Sequence, residues 1–186
     1  MNNRERLEKA HRLLDFLRSN SVDQAIALFE TEDAIDPGWT SFFLQNFASN
    51  PEALPATLFT APMHQMVSKL LQHGMRADFR CLGADHILAV IMGNDNASGT
   101  RTIDMFKDFL SHGANPNAIA LGGGTLPILH YAIQQHANDF ISMLVAFGAN
   151  PDLRAELGWN ALDMCRRSNN ERARSILSAS QETRKA

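Results

Sequence analysis

The sequence predicts an all-α protein made of helical hairpins in series, and three observations carry that prediction. Three segments end alike. Lys69-Leu70-Leu71-Gln72-His73-Gly74, Asp108-Phe109-Leu110-Ser111-His112-Gly113 and Ser142-Met143-Leu144-Val145-Ala146-Phe147-Gly148 each run helically spaced apolar residues into a Gly. A glycine there takes the left-handed backbone that closes a helix at its C′ position. Two of the three continue as Ala-Asn-Pro, at Pro116 and Pro151, and proline forbids further helix. The starts are alike too. Pro127-Ile128-Leu129-His130-Tyr131-Ala132 and Asn160-Ala161-Leu162-Asp163-Met164-Cys165 share a pattern, with 33 residues from Leu129 to Leu162. His86-Ile87-Leu88-Ala89-Val90-Ile91 is a weaker third copy. Finally, departures from this period fall where loops belong. Gly113 to Gly148 is 35 residues, placing two extras near Ala120 and Leu121, and Gly74 to Gly113 is 39, placing six in the polar stretch from Gly93 to Thr100.

Taken in order, the chain opens with a helical stripe of Leu7, Ala10, Leu14 and Leu17, then another of Val22, Ile26 and Phe29. Ser19-Asn20-Ser21 supplies the turn and the N-cap between them. Pro37-Gly38 is a loop, residues Trp39 to Phe47 are dense in aromatics, and three prolines fall between Pro51 and Pro62. Residues 1–60 therefore form an N-terminal helical cap or degenerate unit. Residues 61–180 form the serial array, and 181–186 a flexible tail, with fraying expected from Ser178.

Composition bounds the function. Apolar residues make up 45% and charged residues 20% of 186, the proportions of an ordinary globular chain. A net charge of −3 gives no electrostatic case for nucleic acid. The charge is unevenly placed, however. No Lys or Arg occurs between Arg18 and Lys69, where Asp23, Glu30, Glu32, Asp33, Asp36 and Glu52 lie, whereas Arg166, Arg167, Arg172 and Arg174 make the other end mildly basic. Cys81 and Cys165 are far apart, which argues against a disulfide framework or a structural zinc. Residues Met1 to Leu14 contain no apolar signal core, and no run is long enough to span a membrane, so a cytoplasmic protein is expected.

The two recurring signatures together resemble the ankyrin repeat, in which Thr-Pro-Leu-His-x-Ala opens an inner helix and Leu-Leu-x-x-Gly-Ala-Asp-x-Asn closes an outer one. The match is fullest around Pro127 to Asp152, good from Asn160 and partial from His86. Pro127 stands where Thr is usual, Asp163 replaces the His, and no Gly marks the turns at His136 and Asn169. The resemblance implies an ankyrin-repeat solenoid of helix-turn-helix units behind an N-terminal helical cap, with His130 in a structural role.

Candidate chemistry is sparse. Gly122-Gly123-Gly124-Thr125 lacks the Lys-Ser/Thr of a phosphate loop and reads as the turn joining two units. His73 and His112 sit at helix ends, where a polar ring suits the exposed carbonyls. No metalloprotease, nucleophile-elbow or EF-hand pattern occurs. Cys165 takes the place of a small buried residue, and Cys81 carries no mark of a thiolate. The expectation is a non-enzyme with no cofactor and no metal, monomeric alone, whose partner is another protein rather than nucleic acid or membrane. The resemblance places its binding surface at Asp85 and Leu82, at Leu126, Gln134, Gln135 and Arg154, and at Glu156, Leu157, Trp159 and Arg167. Stoichiometric binding by an adaptor or inhibitor, such as an immunity-type protein neutralising a toxin, is the expected function. Two alternatives stand beside it: a secreted host-directed effector, and an enzyme using the aromatics Trp39, Phe42, Phe43 and Phe47 of the N-terminal region.

Overall fold

A computed structural model describes residues 61–72, 77–78, 80, 85–93, 100–121 and 125–183, together with six helical positions before residue 28. Those six are Arg4, Glu8, Arg12, Asp15, Gln24 and Ala27, and all but Arg4 fall within the two helical stripes expected there. The aromatic segment from Trp39 to Phe47, the helix end at His73 and Gly74, Cys81, Leu82 and the glycines 122–124 lie outside the described residues.

The described chain is mostly helical. Its helices are α1 (Ala61–Gln72), α2 (Ile87–Met92), α3 (Thr100–Ser111), α4 (Ile128–Gln134), α5 (Asn138–Ala146), α6 (Ala161–Arg167) and α7 (Glu171–Thr183). One departure from an all-helical chain is a small antiparallel hairpin of β1 (Ile119–Ala120) and β2 (Leu126–Pro127), with Ile119 opposite Pro127 and Ala120 opposite Leu126. It surrounds the site of the two extra residues, and Leu121 stands exposed beside it. Helix α7 reaches Thr183, beyond the expected point of fraying, because Ser178 to Thr183 contains neither Gly nor Pro to stop it.

Packing orders the helices. Helices α2 and α3, α4 and α5, and α6 and α7 contact each other as pairs. In addition α2 touches α4 and α4 touches α6, while α1 touches α3, α3 touches α5 and α5 touches α7. One continuous apolar core runs through these contacts from Val67 to Leu177. Its bulkiest fully buried side chains are Phe106, Phe109, Ile87, Leu88, Ile91 and Met105. Phe106 of α3 meets Phe140 of α5 edge to face, with ring centroids 4.8 Å apart. Each such ring removed from water contributes roughly 1.5–3 kcal/mol.

The helix ends explain why the pairs fold back. Gly113 (φ 95°) and Gly148 (φ 89°) are left-handed, as the sequence predicts. The following amides of Ala114 and Ala149 donate to Phe109 O at 3.0 Å and Leu144 O at 2.8 Å, closing both helices in Schellman geometry. The turns within the pairs use the same geometry without glycine. His136 (φ 55°) and Asn169 (φ 52°) are left-handed, and Ala137 N and Asn170 N donate to Ala132 O at 3.0 Å and Cys165 O at 2.9 Å. Asn170 is buried, accepts from Ala173 N and donates to Ile133 O, which ties α7 back to α4.

Side chains also link one loop to the next. Asp78 Oδ1 accepts from Asn115 N at 3.0 Å, and Asn117 Oδ1 accepts from Asn150 N at 2.7 Å. These bonds join residues 37 and 33 apart, the loop before one helix pair to the loop before the next.

Candidate functional site

The site is built where α4, α6 and the loops before them converge. Leu126, half-buried on β2, precedes Pro127, the N-cap of α4, and Gln134 ends that helix. After α5 the chain turns tightly. Ala155 N donates to Trp159 O at 2.9 Å and Gly158 N to Ala155 O at 2.8 Å, with Gly158 left-handed at φ 78°. Glu156 and Leu157 are thereby pushed out at the tip, and Leu157 is 69% exposed. Asn160 then caps α6 reciprocally with Asp163, and Arg167 stands at the far end of α6.

Between these elements lies an open groove of about 460 Å³ lined by Thr125, Leu126, Gln134, Ala155, Glu156, Leu157, Trp159, Met164, Arg167 and Ser168. Six of the ten surface positions implied by the resemblance, namely Leu126, Gln134, Glu156, Leu157, Trp159 and Arg167, share this one groove. Of the rest, Leu82 lies outside the described residues, and Asp85, Gln135 and Arg154 are not part of the lining. Asp85 accepts from Leu121 N and is tied to the β1–β2 hairpin. Gln135 is the C-cap of α4. The Arg154 guanidinium donates to Gly158 O at 2.6 Å and braces the turn from behind. Met164, Ser168, Thr125 and Ala155 complete the lining, and the sequence offered no signal for them beyond Met164 at a core-like spacing.

Trp159 is half-buried and packs against the core, while the Arg167 guanidinium carbon lies 3.7 Å from its ring centroid. Stacking of this kind orients the planar cation and leaves its N–H edge directed outward. From below, His130 fixes the loop. Its ring is fully buried, and Nε2 donates to Trp159 O at 3.1 Å. Burial pushes its imidazole below the ordinary value of 6.5, so the ring is neutral, while its Nδ1 has no hydrogen-bond partner. A ring buried this way is out of reach of any substrate in the groove.

Other polar groups serve helix ends. His86 Nδ1 accepts from Leu88 N at 3.3 Å at the start of α2, and Nε2 donates to Asp78 at 2.8 Å. Burial lowers its affinity for a proton as well. His64 lies 3.2 Å from Asp108, which also accepts the Ser68 hydroxyl. That trio has the composition of a hydrolytic triad but the wrong connectivity, since the hydroxyl bonds to the carboxylate and not to the imidazole. It ties α1 to α3. Burial, with Glu171 nearby, pushes the Cys165 thiol up to about 11, which leaves it an unreactive thiol. Among the described residues no three His, Cys, Asp or Glu side chains converge on a metal position, and no helix is long and apolar enough to cross a membrane.

No protein-family model matches the chain, and no curated protein shows significant similarity to it. The functional reading therefore rests on geometry and on the residues themselves.

Proposed function

We propose that the chain is an ankyrin-repeat protein that binds one partner protein stoichiometrically through the groove at α4 and α6, as an adaptor or an inhibitor, without turnover. In this reading α2–α3, α4–α5 and α6–α7 are successive repeats, and α1 is the outer helix of a more divergent unit before them. The serial contacts of the helix pairs support it, as do the loop-to-loop bonds of Asp78 and Asn117. An aromatic ring and an exposed Leu set around an open groove suit recognition of a polypeptide.

The observation that carries the proposal is the convergence of Leu126, Gln134, Glu156, Trp159 and Arg167 on one groove. Its test is affinity capture from native lysate with the wild-type chain, Trp159→Ala and Leu157→Glu in parallel, followed by titration of the recovered partner. Trp159→Ala is expected to weaken binding by about 2 kcal/mol or more, the loss typical of an interface anchor. Leu157 is largely exposed, so Leu157→Glu tests the groove with little effect on folding. Equal affinity of all three chains, with unchanged circular dichroism, rejects the groove as the binding surface.

A further inference from the structure

The groove is neither simply apolar nor simply charged, and that mixture defines what fits it. Its walls are Leu126, Leu157, Met164 and the edge of Trp159. Its cation is Arg167, held flat on Trp159 at 3.7 Å. The neighbouring arginines are engaged elsewhere: Arg166 with Asp163 at 3.1 Å, Arg174 with Glu171 at 3.6 Å and Arg154 with Gly158 O. Among the described residues Arg167 makes no ion pair or hydrogen bond, so its fork of N–H donors is oriented but unused. A planar fork of this kind matches the two oxygens of a carboxylate.

Building on the binding reading above, we infer that the groove takes an extended peptide segment of the partner with an Asp or Glu beside an apolar side chain. The carboxylate pairs with Arg167, and the apolar side chain enters between Leu126, Leu157 and Met164. Glu156 lines the same groove and disfavours a polyanion, which sets a single carboxylate above a nucleic acid or a phosphate-rich ligand. Stacking on Trp159 limits the rotamer entropy that Arg167 loses on binding, because the guanidinium plane is already fixed. Lysine, a point charge on a flexible stem, is a poor substitute at this position.

The test uses the full chain and a randomised peptide library displayed on phage, with selected sequences resynthesised and titrated by fluorescence anisotropy. The expected result is enrichment of an acidic residue next to Leu, Ile, Phe or Met. Arg167→Glu then weakens the selected peptide by about tenfold or more, and Arg167→Lys by a smaller factor. Replacing the acidic residue of the peptide by Lys restores binding to Arg167→Glu, a rescue that a misfolded variant cannot give. Peptides that need Trp159 and Leu157 but show no acidic preference, and bind Arg167→Glu unchanged, overturn the carboxylate inference and leave the groove reading standing. Selection of no peptide, or only of peptides indifferent to Trp159→Ala, Leu157→Glu and Arg167→Glu, removes both.

Discussion

Helices α4 and α6 begin 33 residues apart, at Pro127 and Asn160, and they meet the same physical demand in opposite ways. Every helix start leaves backbone amides without partners. At α6 the demand is met locally: Asn160 accepts from Asp163 N at 3.0 Å, and Asp163 accepts from Asn160 N at 3.2 Å. At α4 the N-cap is a proline that makes no side-chain bond, and the third helical residue, His130, reaches 29 positions ahead to Trp159 O. The interior start thus gives up its own cap to hold the next loop, and that loop carries one wall of the groove. The later start closes on itself. Helix stability and site architecture draw on the same few residues, and α4 favours the site.

Breaking the long link should have the largest effect. His130→Ala removes a fully buried ring and one of the two donors to the Trp159 carbonyl, the other being Ala155 N, and is expected to cost about 3 kcal/mol in urea unfolding. A loss no larger than that of a cap substitution contradicts the contrast drawn above. The same link has a pH dependence. Burial holds the His130 and His86 imidazoles below 6.5, their value in an unfolded chain, so the unfolded state binds protons more readily. Stability is therefore full above that value and falls as pH drops below it towards the folded-state values. A melting series in descending pH should show the decline, and His130→Gln, which keeps an amide N–H without titrating, should lessen it.

Smaller effects sharpen the comparison. Asn160→Ala should cost about 1 kcal/mol, since it removes one cap whose amides can still reach water. Pro127→Thr is expected to stabilise by a similar amount, about 1 kcal/mol, because a hydroxyl at that N-cap can accept a first-turn amide and also partner the vacant Nδ1 of His130. If the hydroxyl acts through that ring, the gain should shrink in a His130→Ala background, which a double-mutant cycle measures. Least of all, His136→Gly should gain several tenths of a kcal/mol by relieving a left-handed non-glycine residue, offset in part by the freedom glycine adds to the unfolded chain. An unchanged or lowered melting temperature there assigns the His136 ring a compensating role.

The helices and their ends were legible wherever the signal was local. Gly113 and Gly148 marked their helix ends because only a residue without Cβ enters that backbone region freely, and Asn160 marked a start because its short side chain reaches its own first turn. His136 and Asn169 escaped the same reading. The turns were placed there, but not their left-handed backbone, which Asn and His enter more readily than most side chains and which contacts between paired helices hold closed. Asp163 stood in the sequence as a substitution for His, and the structure gives it a different task in the reciprocal cap.

The candidate site divides in the same way. Sequence alone determined the order of the helices, the glycine ends at Gly113 and Gly148, and the surface positions worth considering, because these follow from spacing along one chain. Only the tertiary structure decided that Leu126 and Arg167 border one groove, that Arg167 lies on Trp159, and that Asp85 and Arg154 are tied into turns. The groove and the Asp85 bond to Leu121 N join residues brought together by the packing of one helix pair on the next. Their energies depend on distances in space that no local pattern of residues encodes.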